Sequence, residues 1–181
     1  MTRDAMRSAV YAVEHSVFAE TLFSDPVGAA GMLDLAGLVA DSGWWQRNGT
    51  TFEIAPTRRE AQHSSATAEP AGGGPAQIRI SVHQEDAATL AHELAHLLAG
   101  SHGATPPHGP TFIAAELDVV SLVCGTIAAR RMSRAFSEAG IAASARTWEP
   151  PDPLEDRGLF GCWRLARLVG DHAGGEPGTS G

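Results

Sequence analysis

Residues 87–99, AATLAHELAHLLA, constrain the possible fold of this 181-residue chain more than any other stretch. In a helix that turns about 100° per residue, His92 and His96 stand one turn apart on the same face. The other side of the helix is apolar and carries Leu90, Leu94, Leu97 and Leu98. Asp86 is a natural N-cap and Gly100 a natural C-terminal stop. The stretch therefore predicts a helix that packs through its leucines and presents two imidazoles on its other side.

The same helix carries a carboxylate next to the first histidine. His92, Glu93 and His96 form an HExxH pattern, in which two neutral imidazole nitrogens bind zinc at about 2.0 to 2.1 Å. Glu93 lies on the flank, too short to be a further ligand but well placed to touch a water. The metal would lower the pKa of that water towards about 7, and Glu93 would take its proton and later pass it to the leaving group. The pattern thus predicts a hydrolytic Zn²⁺ site with Glu93 as its general base.

Two histidines are candidates for the third zinc ligand. His102 follows His96 by six residues, the interval of the pattern HExxHxxGxxH, but here the glycine comes one residue late and the turn is displaced. His108 stands in PPHGPTF, where prolines stiffen the approach and Pro110 can open the next helix. A histidine held between a stiff loop and a buried helix is the better preorganised ligand. His108 is therefore favoured, with His102 as the alternative that otherwise lines the cleft.

The pattern HELAH, followed after eleven residues by HGPTF, resembles the zincin metallopeptidases, above all the short SprT-like and minigluzincin-like metallohydrolases of actinobacteria. The opening RDAMRSAVYAVEH resembles the start of the same proteins, although only residues 92–112 carry specific motifs. The resemblance implies a minimal zincin-like domain with N-terminal helices, a small sheet whose edge strand holds an extended peptide, an active-site helix and a central buried helix. It also implies that His92, His96 and His108 are the zinc ligands and that Glu93 is the catalytic base.

Apolar spacing and turn residues outline an α+β chain, which we expect to form a single domain over residues 1–170 with a disordered tail at 171–181. Helices are predicted over residues 3–23, 28–43, 87–99 and 111–139, with one last short helix beyond a proline-rich break. Strands are predicted within residues 50–57 and 76–82, and the resemblance to zincins implies that the second of them is the edge strand. The loop between them, residues 64–75, is too rich in glycine, proline and serine to be ordered by itself.

Composition restricts the partners. A formal net charge of −8 removes the positive field on which nucleic-acid binding relies, and the basic zinc ribbon of DNA-directed SprT-like proteases is missing. No stretch has the roughly 18 consecutive apolar residues of a membrane span, and the N-terminus lacks a signal-peptide run. Cys124 and Cys162 suit a reducing compartment, and both are expected to be inert. The sequence predicts a cytoplasmic protein with a peptide or protein substrate and no nucleic-acid or membrane partner.

Two further carboxylates and one tyrosine complete the set of candidate residues. Glu116 and Asp118 lie in the most apolar predicted helix, and buried carboxylates need partners. A hydrogen bond to a zinc-ligand imidazole is the obvious one, because metal-bound histidines donate their second N–H to an acceptor. Either residue could supply it. Tyr11, the single tyrosine, is expected to pack in the first helix.

Three functions fit these residues. The first is zinc-dependent hydrolysis of peptide bonds, and the second is zinc-dependent hydrolysis of another amide or small molecule, since a fold does not fix a substrate. The third is a non-catalytic zinc-binding module. Glu93 separates the third function from the others, because a purely structural site needs no base and closes all four coordination positions with protein.

Overall fold

A computed structural model of the protein describes residues 6–55, 60–68, 73–103, 107–152 and 157–173. Helices and a small sheet make up the described part, so the α+β class is confirmed. The helices are α1 (Arg7–Phe18), a 3-10 turn (Leu22–Ser24), α2 (Gly28–Asp41), α3 (Gly43–Asn48), α4 (Ala87–Ser101), α5 (Pro110–Val123), α6 (Thr126–Glu138) and α7 (Gly158–Ala173). The strands are β1 (Phe52–Ile54), β2 (Ser65–Thr67) and β3 (Ala76–Arg79).

The three strands form one sheet in the order β1-β3-β2. β1 runs parallel to β3, with Phe52 beside Ala76, and β2 runs antiparallel to it, with Ala66 beside Ile78. Two predictions are therefore wrong: residues 76–82 contain the central strand instead of an edge strand, and the loop 64–75 contains the strand β2. The apolar pattern of β3, with Ala76 and Ile78 buried, suits a strand flanked on both sides.

α4 is the central helix and packs most extensively against α5. The predicted N-cap is confirmed, since the Asp86 carboxylate accepts a hydrogen bond of 2.7 Å from the backbone N–H of Thr89. The helix runs past Gly100 to Ser101, two residues beyond the predicted 87–99, and Gly103 takes the positive φ of 75°. The four leucines of α4 are buried, and so is Leu122 of α5, whereas Leu117 of α5 is only partly buried.

The long helix predicted over residues 111–139 is wrong, because it is two helices. Pro110 opens α5 at its first turn as expected, but the chain breaks at Cys124 and Gly125 before α6 begins. Gly125 has φ 98°, a conformation that side-chain-bearing residues rarely adopt. α7 packs across this break: a Cβ at Gly158 would lie 2.5 Å from the backbone nitrogen of Gly125, so the close approach requires a glycine.

The predicted ends of the first helix and the predicted start of the C-terminal tail differ from the structure. α1 begins at Arg7 and ends at Phe18, shorter than the predicted 3–23, and Trp44 and Trp45 are buried in the short helix α3. Residues 171–173 belong to α7, so the predicted tail does not begin at 171, and 174–181 lie outside the described residues. The single domain over 1–170 stays a prediction. No helix in the described part has the length and apolar character needed to cross a membrane.

Candidate metal centre

Three imidazoles converge where α4 meets the start of α5. One ring nitrogen each of His92, His96 and His108 lies within 4.8 Å of the other two. His92 and His108 are buried, and His96 is half-buried. The α-helical spacing of four residues brings the first two rings together, and the turn before Pro110 brings in the third. The ring centroid of Phe112, one turn into α5, lies 4.5 to 5.2 Å from the centroids of all three imidazoles. The favoured histidine set is therefore one spatial cluster.

His102 does not join this cluster. Its Nε2 lies 3.3 Å from the backbone oxygen of Asn48 and its Nδ1 lies 3.0 Å from Oγ1 of Thr147. Its ring also packs on Trp148, with 4.9 Å between centroids. The expectation that His102 lines the cleft is therefore wrong. The displaced glycine explains the difference, because α4 continues to Ser101 and carries His102 to the α3 side of the molecule.

The spacing inside the cluster fits a tetrahedral metal ion. Nε2 of His92 lies 3.1 Å from Nε2 of His96. Two ligands of a tetrahedral zinc ion with bonds of about 2.0 to 2.1 Å are about 3.3 Å apart. Burial and the positive charges of His92, His108 and Arg7 lower the pKa of His96 to about 2. His96 is therefore a neutral imidazole, the form that binds metals.

Glu93 lies beside the histidines at the bottom of a cleft. Its side chain is only 5% exposed, and burial raises its pKa to about 7, against the lowering influence of positive charge on His92 and Arg7. Within the described part of the chain, no hydrogen bond or ion pair fixes its carboxylate. A buried carboxylate with a pKa near neutrality and no structural partner is suited to accepting and returning a proton.

A carboxylate from α1, which sequence reasoning missed, holds the outer nitrogen of His92. Glu14 Oε1 is in direct contact with Nδ1 of His92, and Glu116 Oε1 lies 3.7 Å from the same nitrogen. Burial by itself would lower the pKa of His92, but the Glu116 and Glu14 carboxyl groups raise it well above its ordinary value. Nδ1 therefore faces carboxylates while Nε2 faces the other imidazoles. This arrangement fixes the tautomer that a metal ligand needs.

The two carboxyl groups behind His92 carry different charges. Burial raises the pKa of Glu116 well above its usual range, and the neighbouring Glu14 raises it further. The pKa of Glu14 is lowered, because its interactions with Glu116 and His92 outweigh its burial. Glu14 is thus the ionised member and Glu116 the protonated one. Glu14, His92 and Glu116 also form a possible metal group, but here the carboxylates sit on the nitrogen of His92 that points away from the other imidazoles.

Either Glu116 or Asp118 was expected to contact an imidazole of a zinc ligand, and the two residues differ in this respect. Glu116 faces His92, as described above. Asp118 instead accepts hydrogen bonds of 2.6 and 2.8 Å from Arg146 and one of 2.9 Å from the indole N–H of Trp148. Asp118 therefore ties α5 to the segment after α6, and the hydrogen bonds that its carboxylate accepts from described residues come from Arg146 and Trp148.

The cleft has two cavities that meet at Tyr11, Ser64, His92 and Glu93. One, of about 470 Å³, is bordered by β2, His96, Pro107 and Arg7, and the other, of about 360 Å³, by His15, His63 and Asp86. Tyr11 stands between them, 40% exposed, with its ring 5.3 Å from that of His92 and 5.6 Å from that of His108. Tyr11, which was expected to pack, does pack against two imidazoles, and its ring also forms part of the cleft wall.

The missed residues of α1 had a signal in the sequence. Glu14 stands four residues after Val10 and three before Val17, within the apolar stripe by which α1 packs. A carboxylate in such a stripe needs a buried partner. Arg7 and Tyr11 occupy the same side at spacings of four and three residues. The apolar stripe predicts the helix that contains Glu14, but only the packing of α1 in the structure shows that His92 is the partner of Glu14.

Comparison of the chain with protein-family models, with curated proteins and with solved structures gives no match. The resemblance to zincins consequently stays a prediction, and the site is interpreted from its own geometry.

Proposed function

We propose that the protein is a zinc-dependent hydrolase whose substrate is a peptide. The observation that carries this proposal is the convergence of His92, His96 and His108 beside the Glu93 carboxylate, which has no hydrogen-bond or ion-pair partner among the described residues and borders a cleft. Three imidazoles with an open fourth direction are the donor set of catalytic zinc, whereas a structural site closes the metal with four protein ligands. The open cleft therefore favours catalysis over a non-catalytic zinc module.

Zinc bound by the three histidines would supply a Lewis acid that polarises a carbonyl and makes water acidic enough to react near neutral pH. Proton transfer and the positioning of the imidazoles would be carried out by other side chains of the protein. Glu93 accepts a proton from the attacking water and returns it to the leaving amine. Glu14 accepts the N–H of His92 and keeps that ring turned towards the other imidazoles. Phe112 packs against all three rings and holds them in place.

The edge strand β2 supports a peptide as the substrate. Ser65 and Ala66 border the 470 Å³ cavity next to His96. β2 pairs with β3 along one edge, and among the described residues its other edge has no strand partner. An extended peptide can add to such an edge through backbone hydrogen bonds. Its scissile amide would then lie over Glu93. Hydrolysis of a non-peptide amide at the same site is the alternative.

The test combines metal analysis with an unbiased cleavage assay. The protein is purified from zinc-replete medium, its metal content is measured, and it is incubated with a mixed peptide library whose products are identified by mass spectrometry. Cleavage that disappears with a chelator and returns with Zn²⁺ supports the proposal. Bound zinc without cleavage of any peptide would contradict the peptidase proposal and leave the other amide hydrolase and the non-catalytic zinc module, and protein without any transition metal would contradict all three. The cytoplasmic location and the lack of nucleic-acid and membrane partners stay predictions from the sequence.

A further inference from the structure

Arg7 stands at the mouth of the cleft, close to the histidine cluster. Its guanidinium carbon lies 5.2 Å from the ring centroid of Tyr11, and that ring in turn packs against His92 and His108. Such cation–π contacts hold a guanidinium over a ring without using its N–H donors. The side chain is thus positioned by stacking while its hydrogen-bonding edge stays available.

The charges in this part of the cleft are unusual for the molecule. The chain has a net charge of −8 and contains no lysine. Yet among the described residues that border the 470 Å³ cavity, Arg7 is the only arginine and Glu93 the only acidic residue. No described carboxylate forms an ion pair with Arg7. A solvent-facing guanidinium that forms no ion pair with a described carboxylate and stands near the proposed base is suited to an anion brought by the substrate.

We propose that Arg7 binds a carboxylate of the substrate and so selects peptides that carry an acidic group close to the bond to be cleaved. This inference rests on the proposed function and names its substrate class. Arginine presents several N–H donors in a planar fork that matches a carboxylate, and such charge-assisted pairs are among the stronger polar contacts. The carboxylate can belong to a peptide C-terminus or to a glutamate or aspartate side chain. The chemistry at Arg7 is the same in both cases.

The experiment uses defined pentapeptides of alanine and leucine. One set has free or amidated C-termini, and a second set, all amidated, has one glutamate or one glutamine at each position in turn. Binding is measured by calorimetry with the zinc-loaded Glu93→Gln variant, which cannot turn the peptide over, and cleavage is measured with the unsubstituted protein. We expect at least one carboxylate peptide to bind about ten- to a hundred-fold more tightly than its neutral partner, as expected for a charge-assisted contact.

Variants of Arg7 identify the residue responsible. In the Glu93→Gln background, Arg7→Gln should remove the preference for the carboxylate and leave binding of the neutral peptide unchanged, while Arg7→Lys should retain part of it. Arg134→Gln, on α6 and 82% exposed, is the matched control and should change neither value. Because Arg7 is exposed, the substitutions should leave the melting temperature unchanged. Dependence on the C-terminal acid indicates an exopeptidase, and dependence on a glutamate side chain indicates an endopeptidase.

The two proposals can fail separately. If peptides are cleaved but acid and neutral forms bind equally, the Arg7 inference is wrong and the hydrolase proposal stands. If no peptide is cleaved but a carboxylate peptide still binds through Arg7, the peptidase proposal fails and the carboxylate site stands. If the preference for a carboxylate survives in Arg7→Gln, another residue recognises it and the inference is overturned.

Discussion

At the scale of single residues, the polar side chains of the histidine cluster and its neighbours have different proposed roles. One ring nitrogen each of His92, His96 and His108 lies close to the other two, and Glu14 contacts the outer nitrogen of His92. Glu93 lies beside them and forms no hydrogen bond or ion pair within the described part of the chain. These assignments differ in what each residue should affect: metal affinity, chemistry or orientation. Substitutions can therefore distinguish them.

Replacing Glu93 should stop the chemistry and keep the metal. Glu93→Gln preserves the shape of the side chain but cannot accept a proton, so we expect kcat to fall by about 100- to 10,000-fold, the usual contribution of a general base. Zinc content should stay the same, and the melting temperature should not fall, because burial raises the pKa of Glu93 and its ionised form is therefore disfavoured by folding. The measurement is cleavage of a library-derived peptide together with metal analysis. Loss of zinc in this variant would make Glu93 a ligand and contradict its role as the base.

The two candidate third ligands should behave differently. His108→Ala removes a nitrogen from the cluster and should weaken zinc binding by more than 100-fold, beyond the 10- to 100-fold typical of losing an outer partner. His102→Ala removes contacts to Asn48, Thr147 and Trp148, so it should lower stability modestly and leave zinc affinity nearly unchanged. Competition with a chromophoric chelator measures both affinities. The opposite ranking would identify His102 as the ligand.

Glu14 should act on zinc only through His92. Glu14→Gln keeps an acceptor for the Nδ1–H but loses the negative charge, so we expect zinc affinity to fall by about 10- to 100-fold. Glu149→Gln, which changes a carboxylate that is 78% exposed and remote from the cluster, is the control. The chelator competition is repeated on both variants, and the zinc-free melting temperature is recorded to separate orientation from folding. Equal zinc affinity in the two variants would mean that Glu14 only stabilises the fold.

At the scale of elements, the sequence predicted the helices that carry the site better than the connections between them. α4 and its cap follow from local signals, namely the leucine stripe and Asp86. β2 has no such signal, because Ser65–Thr67 lacks alternating apolar residues and forms only by pairing with β3. The partner of Glu14 could not be predicted from local signals either, because His92 lies 78 residues further along the chain. Gly125 was a visible helix breaker, but the apolar residues on both sides of it suggested one continuous helix.

The N-cap of α4, Asp86, leads to a prediction about how the stability of the protein depends on pH. Asp86 accepts the N–H of Thr89, but burial raises its pKa above the ordinary value. The ionised form is therefore disfavoured by folding, so the contribution of Asp86 to stability is greatest below its unfolded pKa and decreases as pH rises through its folded pKa. Asp86→Asn keeps the cap without the charge and should match or exceed the unsubstituted protein in stability at pH 7.

The advantage of Asp86→Asn should shrink as the pH is lowered, while Asp86→Ala should cost about 1 kcal/mol at pH 7 because the cap is lost. Urea unfolding of the three proteins at pH 7 and at pH 4 measures both effects. An asparagine variant that is clearly less stable at pH 7 would mean that the negative charge itself stabilises the start of α4.

At the scale of the whole molecule, metal binding and folding should be linked. Zinc bound only by the native state adds about 4 kcal/mol at a free concentration 1,000 times the dissociation constant. For a chain of this size that corresponds to a rise of roughly 10 °C in melting temperature. We expect about one zinc per chain and a fall of this order on chelation, measured by elemental analysis and calorimetry. His108→Ala is the control and should show little change with chelator, and equal losses in both proteins would place the metal elsewhere.

The contact between Glu14 and His92 also has a consequence for the order of events during synthesis. α1 is synthesised before α4, and the His92 nitrogen that its carboxylate contacts is made 78 residues later, with α6, against which α1 also packs, later still. α1 therefore cannot dock until both of these helices have been made. Contacts between segments so far apart form slowly compared with local ones. If the centre binds zinc as proposed, zinc taken up during translation would meet an incomplete centre, and stable loading of the metal would mark a chain in which α1, α4 and α5 have come together.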